Sequence, residues 1–154
     1  RGESELQTEL LRETNDPRYP RNLFLPQFLG GKSPTFDFLV YLLNKRQEPY
    51  GPHFFVQVKT TKIAATRTSC NARFGRAFVK RGIAMKVPSY VVAADISSSR
   101  TCQLYVTGVS HNRTTGFATV PVAHQLSHKR TKFALYDEVN KYFSSSTYAF
   151  LSSL

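Results

Sequence analysis

Residues 89–96, Ser-Tyr-Val-Val-Ala-Ala-Asp-Ile, form an almost continuous apolar run. A strand points alternate side chains to opposite faces, so it is apolar throughout only where both faces are covered. The chain therefore needs a sheet with a layer on each side, and helices are the simplest cover. A second strand is expected at 53–62 (HFFVQVKTTK). Its alternation puts Phe54, Val56, Val58 and Thr60 on one face, and Phe55, Gln57, Lys59 and Thr61 on the other. Residues 35–43 (TFDFLVYLL) are β-rich and pair with it as a hairpin across the polar 44–52 connection. Residues 102–109 alternate after a serine-rich turn and make a further strand.

Helices are expected at 3–13, 69–86 and 132–144, where apolar residues recur at helical spacing. The first stops before Asn15-Asp16-Pro17 and the second at Pro88. Short extended pieces fall at 21–29, a loop at 30–34 and irregular chain at 111–127. A serine run occupies 144–146. The expected class is α/β, a mixed central sheet flanked by helices.

At 154 residues the chain suits one domain with a real core. No stretch approaches the ~20 consecutive apolar residues of a membrane span. Cys70 and Cys102 lack metal-site spacing and are too few for a disulfide scaffold, so reduced thiols and a cytoplasmic location are expected. The chain does not begin with Met, so further domains of a longer parent chain are expected.

Charge is unevenly placed. Residues 1–48 carry 7 bases and 7 acids, whereas residues 49–136 carry 13 bases and the single acid Asp95. A merely solubilising surface has no need to exclude acids. A basic middle that excludes them suits a polyanion, and phosphate neutralisation is its commonest use. Lys62, Arg67, Arg73, Arg76, Lys80 and Arg81 are the expected phosphate contacts.

Polar residues also interrupt the strands. Asp37 opens the first hairpin strand, and Gln57 and Lys59 lie two apart on one face of the second. In register, Asp37 comes beside them. A carboxylate, an amide oxygen and a main-chain carbonyl suffice to hold a hard cation such as Mg²⁺. A nearby ammonium orients water or meets the charge of a pentavalent phosphorane. The plain alternative is a lysine snorkelling at a strand end and an amide bonded within the fold.

The segments Asp37-Phe-Leu-Val-Tyr-Leu and Phe55-Val-Gln57-Val-Lys59-Thr-Thr resemble the core of the PD-(D/E)xK restriction-endonuclease-like superfamily. They are closest in kind to a subgroup whose signature reads D…QxK, a bacterial domain family linked to phage defence. Pro88-Ser-Tyr-Val-Val-Ala-Ala-Asp95 resembles the strand after that group's second core helix. The resemblance spans roughly residues 1–145. It implies an α-β-β-β-α-β core and Mg²⁺- or Mn²⁺-dependent hydrolysis of DNA. It also implies a site of Asp37, Gln57 and Lys59, with Asp37 and Gln57 on the metal. A further Glu on the first helix, after a Gly, is common in that family; Gly2-Glu3 fits, and Glu5 is the rival. Gln57 departs from the usual second acid and removes a negative charge from the metal site.

Two other classes stay open. One is a catalytically silent nucleic-acid-binding module on the same fold. The other is a basic RNA- or ribosome-associated protein with no active site. RNA is thus an alternative partner to DNA, and self-association is open too. Asp95 reads as a turn cap. His111, His124 and His128 have no ligand spacing, and Gly30-Gly31-Lys32-Ser33 lacks the spacing of a phosphate loop. Tyr41, Tyr50, Phe54 and Phe74 are candidates for base stacking, although most aromatics in such a chain belong to the core.

Overall fold

The run at 89–96 forms the strand Ser89–Asp95, every residue of which is buried. Tyr90, Val92 and Ala94 join one apolar core, and Val91 and Ala93 join another on the opposite face. Both faces are covered, as its composition demands. This computed structural model describes residues 1–33, 35–145 and 149–154. Pro34 of the expected loop and Ser146 of the serine run lie outside the described residues.

In chain order the elements are α1 (Gly2–Leu10), β1 (Phe24–Phe28), β2 (Phe38–Leu43), β3 (Pro49–Thr61), β4 (Ser69–Phe74), α2 (Arg76–Ala84), β5 (Ser89–Asp95), β6 (Gln103–Gly108), β7 (Phe117–Pro121) and α3 (Lys129–Ser144). The main sheet has the order β1-β2-β3-β5-β6. β1, β2 and β3 form an antiparallel meander, β3 and β5 are parallel, and β6 is antiparallel to β5. A parallel neighbour needs a crossover, and α2 supplies it. The class is mixed α/β, with a five-stranded mixed sheet between α1 and α3 on one face and α2 on the other.

The 69–86 expectation is corrected. Its first part is not helix but strand β4, where Cys70, Ala72 and Phe74 are buried in alternation. Phe74 fits both a helical and a two-residue period. What decides is the pairing of β4 with β7, a strand inside the stretch expected to be irregular. Gly75, extended at φ −71° and ψ 161°, separates β4 from α2. The resulting ribbon packs beside α2 over the second core.

α1 and α3 are tied by polar contacts that need mutual satisfaction once buried. Lys132 Nζ lies 2.7 Å from Glu9 Oε1, both side chains at most 10% exposed. Tyr90, wholly enclosed, donates its hydroxyl to Glu138 of α3. Tyr136 donates to the Leu43 carbonyl at 2.7 Å. α1 lies very close to the sheet at its first residue. A Cβ on Gly2 would come 2.5 Å from Thr60 Cγ2 and 3.4 Å from both Val58 Cγ2 and Ala94 Cβ. Only glycine lets this helix start so close to β3 and β5.

Candidate active site

Asp37 stands one residue before Phe38, which pairs with Val56, the residue before Gln57. The backbone of Asp37 is pinned from both sides. Its N–H donates to the Val56 carbonyl at 2.9 Å, and its own carbonyl accepts from Leu29 at 2.7 Å. Its carboxylate Oδ2 accepts the Val58 N–H at 2.9 Å. The side chain thus takes a β3 donor at the point where regular β2 pairing ends. Because Phe38 and Val56 face the α1–α3 core, strand alternation turns Asp37 and Gln57 toward the other face.

Asp37 is half-buried, and its carboxyl is raised above its ordinary value. Burial is the main cause. The Val58 N–H opposes it, the Glu3 carboxylate adds to it, and the Lys59 ammonium opposes it. The charges of Glu3 and Lys59 both bear on the Asp37 carboxyl. Both acids of the first turn reach Arg1: Glu3 lies 3.8 Å from its amine and Glu5, the rival, 3.7 Å from its Nε, and the Glu5 charge bears on Cys102.

Gln57 is half-buried, and its amide makes no hydrogen bond among the described residues. Lys59 is exposed on the same strand face. Its ammonium donates to the Arg73 carbonyl at 2.5 Å and sits 5.2 Å from the centroid of the Phe74 ring. It does not trail into solvent; the end of β4 holds it.

No group of three or more His, Cys, Asp or Glu suited to a metal occurs among the described residues. The oxygen donors here are two carboxylates and an amide. Oxygen donors of this kind suit a hard divalent cation. Asp37 Oδ1 and the Gln57 amide oxygen have no protein donor among the described residues. The donor set fits Mg²⁺ or Mn²⁺.

The six expected phosphate contacts lie along the β3–β4 connection, β4 and α2, and all are exposed. Among the described residues the ion pairs join Arg1 to Glu3 and Glu5, Arg12 and Lys132 to Glu9, Arg18 to Asp16, and Arg21 to Glu13. None of the six is in one. Arg81 Nε donates to Thr35 Oγ1 at 3.2 Å.

The remaining candidates have structural roles. Asp95 accepts the Ser97 and Ala65 N–H groups, each at 2.9 Å. Burial works against its charge, yet these bonds outweigh it and hold the carboxyl below its ordinary value. His111 donates from Nδ1 to the Phe150 carbonyl at 2.9 Å. Gly30–Lys32 is one 3₁₀ turn. Phe54 and Phe74 are core, and the Tyr50 hydroxyl bonds to Tyr136 and Asn140. Sequence reasoning missed Arg113, whose guanidinium lies 3.5 Å from the centroid of the Phe117 ring. Nothing local marked it, because Phe117 belongs to the unforeseen β7.

Family models, curated proteins and solved structures were all compared with the chain, and none matches it.

Proposed function

We propose that this domain is a metal-dependent nuclease of restriction-endonuclease-like type that hydrolyses phosphodiester bonds in DNA. The observation that carries the reading is geometric: Asp37, whose carboxylate takes the Val58 N–H at 2.9 Å, sits where β2 leaves β3, on the face that carries Gln57 and Lys59. A carboxylate, an unpaired amide and a lysine on one face, with the Glu3 charge bearing on Asp37 from α1, are the equipment for phosphodiester hydrolysis. The element order supports the same reading. With the β4–β7 ribbon set aside, α1-β1-β2-β3-α2-β5 runs in the α-β-β-β-α-β sequence of that fold.

Asp37, Gln57 and Glu3 would hold the cation, which supplies Lewis acidity toward the phosphate and acidifies a bound water. Val58 fixes Asp37 through its N–H, so the free Oδ1 points from a rigid base. Lys59, held by the Arg73 carbonyl, meets the negative charge that grows on the phosphoryl oxygens as water adds and the P–O bond breaks. The attacking water gives up a proton to solvent, and the leaving oxygen takes one from solvent. Lys62, Arg67, Arg73, Arg76, Lys80 and Arg81 hold flanking phosphates by charge.

The test is plasmid cleavage with Mg²⁺ against an EDTA control, for wild type and Lys59→Ala. Lysine removal should lower the rate by about a hundredfold or more with DNA affinity nearly intact, since one contact of several is a small part of binding. Metal-independent nicking, or full activity in Lys59→Ala, overturns the assignment. Gln57 favours one second reading, the silent binding module, because an uncharged amide weakens cation binding. Tight DNA binding with no cleavage of duplex, single-stranded DNA or RNA would select it.

A further inference from the structure

A cleft of about 650 Å³ runs along α2 opposite the 109–116 connection. Its rim carries Arg76 and Lys80 from the helix and His111 and Arg113 from the connection, while Ala77 and Ile83 contribute apolar surface. No acid lines it. We infer that this cleft takes a single-stranded nucleic acid segment, phosphates along the cationic rim and bases over the apolar floor. The inference rests on the nucleic-acid reading above, though not on catalysis.

Two observations favour a single strand over a duplex. A duplex presents phosphates and sugars outward and keeps its bases stacked inside, so it has nothing apolar to lay on Ala77 and Ile83. A single strand offers both. Arg113 is fixed flat: its guanidinium stacks on Phe117, Nε donates to the Thr115 carbonyl at 3.0 Å and Nη2 to the Gly116 carbonyl at 2.8 Å. An arginine so held suits base stacking better than phosphate pursuit. Arg76 and Lys80 stand one turn apart, about 6 Å along the axis, a separation that neighbouring phosphates span. The cleft begins at Arg76, three residues after Arg73, whose carbonyl holds Lys59.

The experiment is anisotropy of a labelled oligothymidylate and of a labelled duplex in EDTA, across about 50–200 mM salt. The variants are Arg76→Gln with Lys80→Gln, Ile83→Glu, and Arg113→Lys, with Arg46→Gln as the control. Melting temperature confirms folding. The double variant should cut the single-strand salt slope by about 1.4, two contacts at about 0.7 each. Ile83→Glu and Arg113→Lys should each lower single-strand affinity about tenfold, the scale of one stacked base. In Ile83→Glu and Arg113→Lys the duplex should change less, whereas the double variant lowers the slope on both substrates. If Arg113→Lys fails to fold, the other two variants still decide. Unchanged single-strand affinity in those two, equal losses on both substrates in Ile83→Glu, or no single-strand binding by wild type each overturns the inference. Absence of Mg²⁺-dependent cleavage overturns only the nuclease reading.

Discussion

Replacing Asp37 by Asn should leave the apo protein at least as stable as wild type while making it blind to Mg²⁺. Asn keeps an oxygen to accept the Val58 N–H that Asp37 holds at 2.9 Å, so the backbone anchor survives. What disappears is a half-buried charge repelled by Glu3. The Asp37 carboxyl is raised in the folded state, so the stability linked to it is full below the ordinary carboxylate value. That stability is lost as pH rises through the folded value. Asp37→Asn removes this loss, and its stability profile should be flatter across the carboxylate range.

The metal effect follows from mass action. A ligand that binds only the folded state stabilises it by RT ln(1 + [L]/Kd), so each tenfold rise in Mg²⁺ beyond Kd adds about 1.4 kcal/mol. For a chain of this size that is roughly 3–6 °C in melting temperature per decade. Calorimetry or dye-monitored melting over a Mg²⁺ series at neutral pH measures it. Wild type should climb at that rate, and the climb should fade on acidification as Asp37 is protonated. Equal climbs in wild type and Asp37→Asn would refute the reasoning and put the cation elsewhere.

Neutralising Lys62, Arg67 and Arg73 together should reduce the slope of log K against log salt for duplex DNA by about 2.7, three contacts at about 0.9 each. An unchanged slope in a binding titration moves the duplex footprint off this side. Lys132→Ala strands the buried Glu9 carboxylate, whose other partner, Arg12, lies at 3.3 Å; urea unfolding should show a loss of about 3–5 kcal/mol. Lys132→Met combined with Glu9→Leu should recover most of it, and a single-variant loss under about 1 kcal/mol would contradict the burial argument.

The main sheet was legible because its signals are local. The apolar run at 89–96 demanded two covered faces, and Ser89–Asp95 has them. The alternation from Phe54 to Thr61 set the phase of β3, and that phase put Gln57 and Lys59 on one face. The ribbon was not legible. Cys70 pairs with Val120, and neither segment alone carries the decision between helix and strand. A two-residue period over 70–74 runs straight into the helical one of α2, and only the extended Gly75 marks the change. The loss of β7 from the reading also cost Arg113, because its fixing ring lies there.

The choice between Glu3 and Glu5 shows why a site is harder to read than a sheet. Both acids lie in the first turn of α1, so helical phase alone does not separate them. Docking does. Gly2 lies so close to Thr60 that the helix enters over the C-terminal end of β3. From that helix the Glu3 charge bears on Asp37 and that of Glu5 on Cys102, while both carboxylates reach Arg1. In the proposed site the glycine acts without touching it, by fixing where the helix that carries Glu3 starts. A polar group at a sheet mouth, a lysine held by a neighbouring strand and an acid delivered by a close-packed helix come from three separate stretches of chain. Bringing them together, as the proposed site requires, depends on packing that no single stretch encodes.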